Sequence, residues 1–121
     1  DGSAVRDFVF FFYLAEGVLL AFEKAADCTP INLGSGIGTT IKELIDIITS
    51  YIPGLNVRWD KGKPVGEDMR VLDITRARGK IGYKPRISLK EGIGKTIEWY
   101  QENMDKLPQH YNVFHEKALI S

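Results

Sequence analysis

Lys63-Pro64-Val65-Gly66-Glu67-Asp68-Met69-Arg70 sets two basic side chains around a glycine and runs straight into Val71-Leu72-Asp73-Ile74-Thr75-Arg76, which reads as a helix start. Ammonium and guanidinium groups pair well with phosphate oxygens, and arginine offers its donors in a planar fork. Gly66 permits a close backbone approach, and Asp73 or Thr75 can cap the helix that follows. The chemistry this segment suits is the grip on a phosphate-bearing ligand.

Other chemistry is poorly encoded. Gly34-Ser35-Gly36-Ile37-Gly38 stands between an apolar run and a helix, but the third glycine of a dinucleotide fingerprint would fall at Thr39. A tight turn is the expected role. Ser35 would need a glycine at Leu33 to form a nucleophile elbow. Cys28 has no histidine or cationic neighbour to activate it, and a buried or idle thiol is expected. His110 and His115 have only Glu116 nearby, so no metal site is expected. Asp46, Glu98 and Glu102 fall on polar helix faces.

The elements that would position these residues alternate. Residues 5–13 are apolar and aromatic and read as a strand or an extended entry into a helix, which then runs from Leu14 to Ala26. Pro30 to Leu33 reads as a short strand. Thr40-Ile41-Lys42-Glu43 is a capping box opening a helix through Ile52, stopped by Pro53-Gly54. Leu55 to Trp59 reads as a third strand. A short helix spans about Ile74 to Lys80 and ends near Gly82. Ser88-Leu89-Lys90-Glu91 is a second capping box, opening a helix to about Asn103. The order is strand, helix, strand, helix, strand, helix, helix, then a tail. The fold class is α/β, with a small mixed sheet of few short strands and about four helices. Residues 1–106 form one region. In the tail, 107–121, Val113, Phe114, Leu119 and Ile120 suit either a docking helix or disorder.

The chain has 121 residues, enough for one domain, with 44% apolar and 26% charged residues. Sixteen acidic and sixteen basic side chains cancel, which gives no electrostatic case for nucleic acid or an anionic membrane. The run Phe8 to Leu14 is far short of the roughly 20 residues that span a bilayer. A lone cysteine and the lack of a visible leader point to the cytoplasm. The chain opens without an initiator Met, which suggests a piece of something longer.

An ordered series of motifs carries a family resemblance. Val5-Arg6-Asp7-Phe8 precedes Leu14-Ala15-Glu16-Gly17. Ile31-Asn32-Leu33-Gly34-Ser35-Gly36 precedes Thr40-Ile41-Lys42-Glu43-Leu44. Lys63-Pro64 with Gly66, then Leu72-Asp73 with Thr75-Arg76, leads to Ile81-Gly82-Tyr83 with Pro85 and to Ile87-Ser88-Leu89 with Glu91-Gly92. From Gly2 to about Lys106 this resembles the C-terminal portion of the extended short-chain dehydrogenases/reductases, the NAD-dependent nucleotide-sugar epimerase/dehydratase family. Within that family it looks most like the GDP-fucose synthases, with the UDP-galactose 4-epimerases as cousins. The resemblance implies a C-terminal fragment of an NAD(P)-binding Rossmann-type epimerase. It also implies that Arg6 and Arg70, with Lys63 as a third contact, meet the diphosphate of a nucleoside-diphosphate sugar.

The family's proton-transfer pair, Tyr-x-x-x-Lys, is absent: the five tyrosines are followed four residues on by Gly17, Leu55, Ile87, Met104 and His115. No catalytic residue and no NAD(P) site are therefore expected in this chain, whose parent family uses NAD(P). The family also shows His-apolar-Asp-Asp where this chain has Phe10-Phe11-Phe12-Tyr13. Each ring hides about 150–250 Å² when covered. Two readings stay open for these rings. Either they complete the domain's own core, or they form an interface with another copy in a homo-oligomer.

Overall fold

Three short strands share one sheet with β1 (Val5–Asp7) at its centre. β2 (Gly38–Thr40) pairs with it antiparallel and β3 (Met69–Arg70) pairs with it parallel, giving the order β2-β1-β3. Four helices complete the fold: α1 (Phe11–Lys24), α2 (Ile41–Tyr51), α3 (Thr75–Ile81) and α4 (Leu89–Asn103). The structure is a computed structural model and describes residues 2–25, 27–60, 62 and 66–106. Lys63, the tail from residue 107 and both histidines lie outside the described residues.

The helix boundaries follow from local chemistry. Thr40 Oγ1 accepts from the Glu43 N–H at 3.0 Å while the Glu43 carboxylate accepts from the Thr40 N–H at 2.7 Å, so the first capping box is complete. Thr40 also ends β2, so sheet and helix meet with no linker. The second box is half formed: Ser88 Oγ accepts from the Glu91 N–H at 3.2 Å, and Glu91 pairs instead with Lys95 one turn on. α3 stops where Gly82 takes the left-handed conformation at φ 72°, a helix ending that favours glycine.

Two of the expected strands are corrected. Pro30 to Leu33 joins no ladder; Ile31 and Leu33 pack on the core while Asn32 Nδ2 donates to the Asp73 carbonyl at 3.2 Å. Alternation alone does not make a strand where no described neighbour lies beside it. Leu55 to Trp59 is likewise an exposed loop, with Trp59 laid over Gly2. The strands that form instead, Gly38–Thr40 and Met69–Arg70, are selected by pairing with β1. The expected strand over 5–13 is only three residues long, and α1 begins at Phe11, earlier than the Leu14 start, with Phe10 as an N-cap that makes no side-chain bond.

The core lies under α3. Ile74, Ala77, Ile81 and Tyr83 are buried, with Tyr13, Leu20, Ala21, Ile31 and Leu33 packed against them. Gly17 lets α1 approach this cluster: a Cβ there would sit 2.8 Å from Leu33 Cδ2 and 2.9 Å from the Tyr83 ring. α2 and α4 are tied by the Tyr51 hydroxyl, which donates to the Lys90 carbonyl at 3.1 Å.

Candidate functional site

In the parallel pairing of β1 with β3, Arg6 stands opposite Arg70. Facing residues on neighbouring strands project to the same side of a sheet, with backbones about 4.8 Å apart. Sequence positions 64 residues apart are thus brought side by side. The two arginines also meet a common residue. Arg6 Nη2 donates to the Glu67 carbonyl at 2.8 Å, and Arg70 Nε donates to Glu67 Oε2 at 3.1 Å. Arg6 Nη1 is held by its neighbour's carbonyl, Val5 O, at 2.7 Å. Arg6 is half-buried, whereas the Arg70 side chain is 71% exposed.

The turn before β3 has the conformation the sequence suggests. Gly66 adopts φ 77°, where a side chain is strained, and a Cβ on it would lie 3.9 Å from Arg6 Nη2. The need for glycine here is conformational, since that distance is ordinary contact. The Val5 N–H donates to the Asp68 carbonyl at 2.8 Å, which stitches the turn to the strand bearing Arg6. Downstream, the Asp73 carboxylate accepts from the Thr75 N–H at 2.9 Å just ahead of α3, whose N-cap is Ile74 with no side-chain bond, so neither Asp73 nor Thr75 is the helix cap expected of them. The Thr75 hydroxyl and N–H hold the Asp73 carboxyl below its usual range.

The residue that sequence reasoning missed is Asp7. It follows Arg6 in β1 and so projects to the opposite face. Its Oδ1 accepts from the Ser35 N–H at 2.8 Å and the Ser35 hydroxyl at 2.6 Å; its Oδ2 accepts from the Gly36 N–H at 2.9 Å and the Leu72 N–H at 3.3 Å. Burial pushes the carboxyl up, but the Ser35 hydroxyl and the three N–H groups outweigh it, so Asp7 stays below the usual carboxylate range. The glycine-rich turn therefore cradles the chain's own carboxylate. Gly34 admits it closely, a Cβ there falling 2.9 Å from Asp7 Oδ2, and Gly36 supplies φ 71°. The signal was present in the sequence: a turn rich in free N–H groups needs an acceptor, and a strand acid is one.

The aromatic segment divides. Phe10 packs on Gly92 of α4 and Tyr13 on the core, while Phe11 and Phe12 are 63% and 62% exposed and stack with centroids 4.3 Å apart. They border a cleft of about 760 Å³ whose far wall includes Trp99 and Ile87. Cys28, expected to be buried or idle, is exposed. Among the described residues no cluster of His, Cys, Asp and Glu could hold a metal ion, and no helix is long and apolar enough to cross a membrane.

A small mixed sheet flanked by helices is a local α/β architecture shared with Rossmann-type epimerases. Along most of its length the chain is homologous to the nucleotide-sugar branch of the extended short-chain dehydrogenases/reductases, matching their C-terminal portion. It is 33% identical over 106 residues to a putative GDP-L-fucose synthase of Arabidopsis thaliana, covering 86% of this chain and 32% of that protein. It is 38% identical over 105 residues to a putative UDP-glucose 4-epimerase of Methanocaldococcus jannaschii, covering 85% and 33%. The solved UDP-glucose 4-epimerase of Thermotoga maritima, which holds UDP-glucose, superposes with a TM-score of 0.78 at 32% identity, covering 86% of this chain and 34% of the enzyme. The chain thus spans about a third of the length of the relatives it matches. No protein-family model matches it.

Proposed function

We propose that this region grips the diphosphate of a nucleoside-diphosphate sugar through Arg6 and Arg70, with Lys63 as a third cation, and does not turn the sugar over by itself. The observation that supports this reading is the register of β1 and β3, in which Arg6 and Arg70 stand opposite each other. A diphosphate needs convergent cationic donors, and two arginines offer them in planar forks. The relatives' names and the UDP-glucose in the solved epimerase support a nucleotide sugar as the ligand class. Hydride and proton transfer would have to come from elsewhere, because the Tyr-x-x-x-Lys pair is missing from the sequence. Titration with GDP- and UDP-sugars by calorimetry tests the reading. Heat that disappears in Arg6→Ala and Arg70→Ala is expected, and no heat at millimolar ligand with a folded sample overturns it.

A second reading is favoured by the solvent-facing rings of Phe11 and Phe12. In this reading the segment Phe10 to Tyr13 forms an interface between copies of the chain. The two readings use different surfaces and are compatible.

A further inference from the structure

Both arginines hydrogen-bond to Glu67, through chemically different atoms of it. Its backbone carbonyl takes Arg6 Nη2 at 2.8 Å, and its carboxylate takes Arg70 Nε at 3.1 Å. We propose that the Glu67 carboxylate is a resident competitor, occupying the Arg70 guanidinium until the anionic ligand displaces it. This rests on the diphosphate reading given above.

The geometry makes the exchange feasible. The Arg70–Glu67 pair is 71% and 65% exposed, a class of ion pair that water and salt weaken to little net value. A ligand with two phosphates can therefore replace it. The carbonyl contact is different in kind, since it is set by the turn at Gly66 and persists when the side chain swings away. Arg6 stays positioned while Arg70 changes partners. The arrangement also bears on selectivity. A singly charged anion offers Arg70 no more than Glu67 already does, whereas a diphosphate adds a second charge that Arg6 can meet at the same time.

The experiment compares the wild-type chain with Glu67→Gln and Asp68→Asn, titrated with UDP-glucose and GDP-mannose, with circular dichroism verifying the fold. Asp68 is the control because its carbonyl, not its carboxylate, is the group built into the sheet. Glu67→Gln is isosteric and keeps the carbonyl contact. It is expected to bind about two- to fivefold more tightly at low salt, with the difference shrinking as salt rises. Asp68→Asn is expected to change affinity less than half as much. Equal binding by wild type and Glu67→Gln overturns the competitor, as does an equal gain in both variants, which would mark a general charge effect. Absence of binding in all three folded proteins defeats the diphosphate reading itself, and the competitor falls with it.

Discussion

Asp7 ties β1 to two stretches just outside the ladder, the turn at Ser35–Gly36 ahead of β2 and the segment after β3 at Leu72. Four donors converge on its two oxygens, and each wants an acceptor. Asn at this position presents one oxygen and one NH2 group, so it must turn a donor toward donors. Asp7→Asn is expected to cost about 2–3 kcal/mol in urea unfolding at neutral pH. The sign of the pH effect follows from the lowered carboxyl: the folded state favours the charged form. This stabilisation is complete above the ordinary aspartate value of about 4 and is lost as pH falls below it toward the folded value. The gap between wild type and Asp7→Asn should therefore narrow on acidification below about pH 4. A gap that is constant across that window would assign the cost to shape and not to charge.

At the scale of elements, α1 is apolar on two sides. Tyr13, Leu20 and Ala21 face the core, while Phe11, Leu14, Val18 and Phe22 recur at helical spacing and face solvent. The inward side tolerates little change. In Gly17→Ala the higher helix propensity of alanine favours folding by about 1 kcal/mol, but its methyl would meet Leu33 and the Tyr83 ring below 3 Å. Overpacking of that kind costs about 1–3 kcal/mol, so a net loss of up to about 2 kcal/mol is expected in thermal or urea melts. A more stable Gly17→Ala would mean that α1 shifts freely. The helices α2, α3 and α4 were legible in the sequence because Thr40–Glu43, Ser88 and Gly82 announce their ends locally. The start of α1 was not, because Phe10 gives no capping signal and four aromatic residues imitate a strand. The strands were least legible. β2 and β3 carry two or three residues each, and what selects them is a partner distant in sequence. The arginine pair came from resemblance, and its register could not be read from the residues alone. Asp7 meets its donors 28 to 65 positions away, and the backbone contact of Glu67 with Arg6 spans 61, so neither pairing is a local sequence pattern.

For the molecule as a whole, the element order was right even where the residues forming two strands were not, because helices with clear caps leave few ways to arrange what lies between. The same view exposes the weakness of the chain in isolation. Among the described residues the buried apolar side chains are Ala4, Ile74, Ala77, Ile81 and Tyr83, whereas Phe22 is 88% exposed and Leu19 64%. Apolar surface gathered in one place is the kind of face on which a second chain can dock. If copies of this chain cover it, light scattering should report a discrete oligomer that Phe12→Asp shifts toward monomer with little loss of secondary structure; a wild-type monomer at high concentration overturns self-association. The wetted side of α1 has a thermodynamic corollary. Phenylalanine and leucine groups already hydrated in the native state add nothing to the heat capacity released on melting, so the free-energy curve of this chain against temperature is flatter than its length implies, and its urea dependence is shallower.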